Sequence, residues 1–256
     1  SCSLHISQPR VVYYYLHMLI RLHKIFHKTL EFAHFICTRH TNNEDVLIMA
    51  KTPRGWNGLL DFASREAKRL GYCSRAAMKL EQLFQKFPEV LGKQQNVSLV
   101  DFGCAPGSWL QVLSRKMPNA EIYGFDLTQV DIRELKFLDS NRTRTFQCDV
   151  FESDDLLSEL QLSKNVHLLT SDMMAKTTGQ NDAIVSHELA LRAFEVATND
   201  LLAKNGHFIC KIFESEETRA LKMEAKKAFA GAHMFRPAAV RKGSREIYMV
   251  GVGFRG

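Results

Sequence analysis

Acidic side chains are missing from the front of this 256-residue chain until Glu31. Also missing is any apolar run near the ~18 residues that a membrane helix needs. The longest candidate, Val11 to Ile20, contains His17 and runs straight into Arg21, so no membrane span is expected. Cysteine never occurs as a C-x-x-C pair. Cys2, Cys37, Cys73, Cys104, Cys148 and Cys210 are widely scattered. That argues against a disulfide scaffold or a zinc knuckle and for reduced thiols. Proline (6) and glycine (14) are too scarce for a collagen-like or low-complexity chain. No internal repeat is present. The 45% hydrophobic and 24% charged residues are a globular balance, which excludes wholesale disorder. The length fits one domain of ordinary size, or one domain with an extension.

The positive charge is uneven. Of the net +6, residues 1–57 carry +4 and the rest only +2. A uniform polyanion-binding surface is therefore not indicated. Local clusters remain, namely Arg65, Lys68 and Arg69; Arg75 and Lys79; and Arg236, Arg241, Lys242 and Arg245. Such clusters either hold phosphates or are plain solvated surface.

At about 100° per residue, His17, Arg21, Lys24 and Lys28 share one helical stripe. Leu19, Leu22, Phe26, Leu30 and Ala33 share the opposite one. A basic, acid-poor amphipathic front end reads as an organelle transit segment. It reads equally as a helix that packs its apolar side on the body or on a partner. The chain opens on Ser1, so a segment upstream is expected. His23 and His27 stand four apart and could share a metal, but no cysteine pair or carboxylate completes the set, and no metal site is expected. The polar stretch 41–56, with Pro53 and Gly55, reads as a linker. The expected division is an extension over 1–53 and a folded domain over 54–256.

The domain alternates strand and helix patterns. Residues 58–87 read as helical. Strands are expected over 97–102, 120–125, 144–148, 166–170 and 206–213, with helices over 108–116, 154–162, 182–202 and 216–229. Two late strands, 232–235 and 247–254, have no helix between them. Repeated strand–helix units imply an α/β fold with a mostly parallel sheet covered on both faces. The closing pair implies a last strand that returns antiparallel. Ligands of such sheets sit at the carboxyl ends of the strands. Here those ends carry Gly103, Asp126, Asp149 and Asp172.

The first of these ends reads Asp101-Phe102-Gly103-Cys104-Ala105-Pro106-Gly107-Ser108-Trp109. Gly103 and Gly107 permit a tight turn and close backbone approach. Ala105 and Ser108 stand where a dinucleotide fingerprint has its second and third glycines, which disfavours nicotinamide binding. S-adenosylmethionine has no phosphates and carries a positive sulfonium. Asp126 could accept its ribose hydroxyls and Asp149 its adenine amino group. Each aspartate alone is as readily a turn residue or helix cap; in series they favour a nucleoside ligand.

Ser74-Arg75-Ala76-Ala77-Met78-Lys79-Leu80, the Asp101–Trp109 segment, Gly124-Phe125-Asp126-Leu127, Ser171-Asp172-Met173, Cys210-Lys211-Ile212-Phe213 and Ser244-Arg245-Glu246-Ile247-Tyr248 follow one another in the order of the FtsJ/RrmJ family. The resemblance runs from about Arg54 to the C-terminus. It implies a Rossmann-like class I methyltransferase with a seven-stranded sheet, and a ribose 2′-O-methyltransferase that acts on RNA with S-adenosylmethionine. The cofactor would lie on Gly103, Ala105, Pro106, Gly107, Trp109, Asp126, Asp149 and Asp172. Within the family the chain looks most like the enzymes of large-subunit ribosomal RNA that modify uridine. Its basic front end points to the mitochondrial branch and the mitochondrial matrix, with the cytoplasm as the alternative. Residues 1–50 would then serve targeting or dock on ribosomal proteins.

The family's catalytic lysine–aspartate–lysine–glutamate set falls on Lys79, Asp172, Lys211 and Glu246. A ribose hydroxyl must lose its proton as it attacks the methyl carbon, and Lys211 is the expected base. A free lysine is protonated at neutral pH; burial and neighbouring positive charge favour the neutral amine. Asp172 would orient Lys211, and Glu246 would place Lys79. A buried ion-pair network with no chemistry is the bland alternative. Arg75, Lys176, Arg241, Lys242 and Arg245 are the expected RNA contacts. The family's Met-Ala-Pro-Asn after the aspartate is replaced here by Met173-Met174-Ala175-Lys176. That departure motivates a second reading, a weakly active or inactive methyltransferase fold that binds ribosomal RNA as an assembly factor.

Overall fold

The computed structural model describes residues 62–92, 96–174 and 182–256. The amphipathic segment and linker expected before residue 54 lie outside these residues, and so does Lys176.

Helices α1 (Phe62–Leu70) and α2 (Ala76–Lys86) replace the single helical stretch expected over 58–87. The break has a local cause. Gly71 takes φ 84°, a conformation that costs a side chain and suits glycine. Its N–H reaches Lys68 O while Tyr72 N–H reaches Ala67 O. This pair of bonds closes a helix end and turns the chain.

The sheet comprises β1 (Ser98–Phe102), β2 (Glu121–Asp126), β3 (Thr143–Gln147), β4 (Val166–Ser171), β5 (Leu202–Phe213), β6 (Phe229–Phe235) and β7 (Glu246–Phe254). Its order is β3-β2-β1-β4-β5-β7-β6. The first five strands run parallel, and β7 inserts antiparallel between β5 and β6. Helices α3 (Ser108–Lys116), α4 (Asp154–Glu159), α5 (Asp182–Val196) and α6 (Glu217–Ala228) complete the fold. This is the mostly parallel sheet with an antiparallel closing strand that the sequence pattern implies.

The central strands are apolar on both faces because each face is covered. On one face Val100, Phe102, Phe125, Leu169, Phe208 and Phe229 meet the buried side of α5 and α6. On the other, Leu99, Ile122, Leu168, Ile209 and Val250 meet Leu80 and Leu83 of α2 and Leu110 and Leu113 of α3. The helix expected to run to Leu202 stops earlier. After Val196 one wider turn, Ala197–Leu201, carries the chain into β5. Leu202 then pairs with Val166, but the next recorded partner of β4 is His207, opposite Leu168. The residues between bulge outward. Asn205 takes φ 66°, and a side chain at Gly206 would meet Ala203 O at 2.8 Å.

Beside this bulge lie two buried imidazoles. His167 and His207 pack edge to face, with centroids 5.1 Å apart. Gly253 N–H donates to His207 Nδ1 at 3.3 Å, so that nitrogen is unprotonated. Burial, then His167, pushes His207 down to about 4, and burial lowers His167 as well. The unfolded chain therefore takes up protons that the folded chain refuses. The stability from keeping the pair neutral is complete above about pH 6.5 and is lost as pH falls towards 4. Urea midpoints are predicted to fall across this window, and His207→Gln, which cannot titrate, to flatten the fall. An equally steep fall in that variant contradicts the assignment.

Candidate active site

Strand polarity decides which side chains meet. Side chains two apart on a strand share a face. Asp101 is paired with Gly124 and with Thr170. Two residues further on, at the carboxyl ends, the same face carries Gly103, Asp126 and Asp172. The pairing of β1 with β4 continues past the strands, because Asp172 N–H donates to Phe102 O at 3.1 Å. On β5 and β7 that level is Lys211 opposite Tyr248. The sheet thus gathers residues 103, 126, 172, 211 and 248 at one end.

The β1–α3 loop turns at Gly103, φ 73°. A side chain there would meet the backbone of Met173 at 2.8 Å, so only glycine lets the loops after β1 and β4 come this close. Gly107, φ 108°, precedes α3; a side chain there would strike Leu135. Asp126 ties the loop down. Its Oδ2 accepts Ala105 N–H at 3.0 Å and its Oδ1 accepts Thr128 N–H at 2.8 Å. Asp149 Oδ1 accepts Phe151 N–H at 3.0 Å. Both aspartates therefore hold turns, as the plain reading of the sequence has it. A carboxylate accepts about four hydrogen bonds, so capacity for a ligand remains on each. Trp109 follows this loop in the first turn of α3, and its side chain points into the core. It is buried, gives its indole N–H to Ala76 O at 3.0 Å and packs against Tyr248. It braces α2, α3 and β7 from beneath.

The four residues expected to carry chemistry meet in two ion pairs. Lys211 Nζ lies 3.2 Å from Asp172 Oδ1 and donates to Asp172 O at 2.7 Å. Lys79 Nζ lies 2.6 Å from Glu246 Oε1. Lys211 is only 4% exposed. The link between the pairs is Tyr248, which the sequence reading did not single out. Its hydroxyl lies 3.0 Å from Asp172 Oδ1 and 2.5 Å from Glu246 Oε1. These are the same oxygens that face the lysines. Burial, then the two carboxylates, pushes the phenol well above its ordinary range, so it stays protonated. One signal could have found it, since Tyr248 stands two residues after Glu246 on a strand and so shares its face.

The basic residues divide. Arg236 is structural, donating to Ser244 O and Glu246 O and so pinning the β6–β7 loop. Arg75 also holds that loop, through Ala239 O. Burial, then the guanidinium of Arg241, lowers Arg75. Arg241, Lys242 and Arg245 are exposed on the pinned loop. Among the described cysteines, burial pushes the thiols of Cys73, Cys104, Cys148 and Cys210 up, so none is poised as a nucleophile.

Replacing Tyr248 by Phe removes the hydroxyl that lies between the buried carboxylate of Glu246 and the half-buried one of Asp172. A loss of about 1–3 kcal/mol in unfolding free energy is predicted, read by urea titration; an unchanged value contradicts the bridging role.

Comparison with known proteins matches residues 72–254 to the FtsJ-like methyltransferase family. The ribosomal RNA large subunit methyltransferase E of Anaeromyxobacter dehalogenans is 35% identical over 200 residues, covering 77% of this chain and 72% of the relative. That of Desulfatibacillum aliphaticivorans is 34% identical over 212 residues, covering 81% and 97%. The crystal structure of a ribosomal RNA methyltransferase from Plasmodium falciparum superposes with a TM-score of 0.60 at 28% identity, covering 72% of this chain and all of that one. The sheet order is that of class I methyltransferases. The chain belongs to the FtsJ-like methyltransferases, enzymes that depend on S-adenosylmethionine.

Proposed function

We propose that this protein transfers a methyl group from S-adenosylmethionine to a ribose 2′-hydroxyl of large-subunit ribosomal RNA, at a uridine, during mitochondrial ribosome assembly. The observation that carries the reading is the buried Lys211 amine held on Asp172 at the end of the sheet. The relatives' names support the RNA class. The acid-free, basic front end of the chain supports the mitochondrial setting, with residues 1–53 as a targeting or docking extension to a domain over 54–256.

The donor set fits the cofactor. It offers carboxylates at successive strand ends to hydroxyls, an amine and positive charge. Asp126 would hold the ribose hydroxyls, Asp149 the adenine amino group, and the 103–107 loop with Asp172 the methionine portion. When bound, S-adenosylmethionine supplies an electrophilic methyl on a cationic sulfur. The protein's part is to bring in the ribose and remove a proton. Lys211 donates to the carbonyl oxygen of Asp172 and lies 3.2 Å from its carboxylate. As a neutral amine it keeps one lone pair, and that lone pair takes the proton of the 2′-hydroxyl as the oxygen bonds to carbon. Asp172 then faces the ammonium it has helped to form. Lys79, fixed by Glu246, puts a positive charge beside the developing alkoxide. Holding both reactants in line supplies much of the remaining rate. Exposed Arg241, Lys242 and Arg245 would hold RNA phosphates and set the strand's position rather than read its sequence.

Lys211→Ala is predicted to retain S-adenosylmethionine binding in calorimetry and to lower methyl transfer by at least about a thousandfold. Depletion of the protein should remove one 2′-O-methyl group from mitochondrial large-subunit RNA, and the Lys211→Ala form should not restore it. Restoration by that variant would favour an assembly role without catalysis.

A further inference from the structure

Asp101 is a charged-type side chain with no evident place in this mechanism. It is fully buried in β1, within the apolar layer under α2 and α3. Its Oδ1 accepts the Thr170 hydroxyl at 2.7 Å. Its Oδ2 is equally buried and has no hydrogen-bond partner. A carboxylate so placed has lost water and gained one hydrogen bond in return. Burial pushes Asp101 well above the ordinary carboxyl range; the Thr170 hydrogen bond opposes this, and Asp172 and Asp126 add to it.

Its position gives the burial a use. Asp101 shares a face with the level that carries Asp126 and Asp172, and stands two residues below it, about 6.6 Å along the strand. Other titratable groups are close. Asp101 helps to raise the Cys104 thiol. Lys211 and Tyr248 occupy the level above, both held against Asp172. Positive charge brought to that level acts on Asp101 through a low-dielectric interior.

We propose that Asp101 gauges the cofactor's charge: it carries a proton in the free protein and releases it to solvent when the cationic methyl donor binds above it. The inference rests on the site being that of S-adenosylmethionine. The proton ledger closes over one cycle. Donor binding converts the carboxylic acid to carboxylate plus one proton in the buffer. Methyl transfer turns the sulfonium into an uncharged thioether and leaves the hydroxyl proton on Lys211. When Lys211 passes that proton on, the level has lost its added charge and Asp101 takes one proton back from solvent, so each cycle releases one net proton, that of the hydroxyl. The site thereby prefers the charged donor to its neutral by-product, and the preference grows with pH because only donor binding releases this proton.

The test is infrared difference spectroscopy on the whole protein, saturated in turn with S-adenosylmethionine and S-adenosylhomocysteine. The carboxylic-acid carbonyl band of the free protein should vanish with the first and persist with the second. Carbon-13 at the aspartate carboxyls should shift that band, which assigns it to an aspartate, and Asp101→Asn should remove it. Calorimetry in buffers of different ionisation enthalpy should show more proton release with the donor than with the by-product, and Asp101→Asn should abolish the difference. A band that persists with bound donor, or a difference in proton release that survives in Asp101→Asn, overturns the proposal. Absence of donor binding would instead overturn the methyltransferase reading on which it rests.

Discussion

A buried lysine amine held against one aspartate is the constraint on which the site depends. Lys211 reaches both the carboxylate and the carbonyl oxygen of Asp172, which fixes the direction of its remaining valence. That geometry exists because β4 and β5 are parallel neighbours in register. It also needs the loops after β1 and β4 to close on each other, which Gly103 permits. Tyr248 then joins this pair to Lys79 and Glu246 through one phenol. Two ion pairs far apart in sequence become one network, braced from below by Trp109. Such a network costs desolvation, and its hydrogen bonds offset much of that cost.

The same rule of alternate faces explains both levels of the site. The upper level holds Asp126, Asp172, Lys211 and Tyr248, where chemistry needs charge. The lower holds Asp101 and Thr170 beside Ile209 and Val250, where the apolar layer begins. A carboxyl at that boundary responds to charge above it because water is absent below. The opposite end of the sheet shows the same physics in a bland form. Burial holds His167 and His207 below the ordinary imidazole range, and His207 accepts the Gly253 N–H.

Most of the architecture was legible in the sequence because parallel strands are apolar throughout and end in turn residues. Asp126 and Asp172 close β2 and β4 as expected, and the pattern of two late strands without a helix announced the antiparallel β7. What escaped was set by tertiary contact or local geometry. The end of α1 depended on Gly71 adopting a left-handed conformation. The early start of β5 depended on a bulge that Gly206 alone accommodates. Tyr248 stood in the sequence only as the last residue of the Ser244–Tyr248 motif on a closing strand, and its role follows from Asp172 and Glu246 flanking its hydroxyl. The part that the Trp109 side chain plays in packing was equally hidden, its indole N–H going to Ala76. Arg236 read as one of four surface cations, but its guanidinium is committed to backbone carbonyls of the β6–β7 loop.

The central claim is that Lys211 takes the proton of a ribose hydroxyl. The most direct measurement is a structure of the protein with S-adenosylhomocysteine and an RNA oligonucleotide containing the target nucleotide. The account predicts the target O2′ within hydrogen-bond distance of Lys211 Nζ, with Tyr248 still bridging Asp172 and Glu246. A target O2′ bound away from Lys211, or a Lys211 turned out of the site, would contradict it.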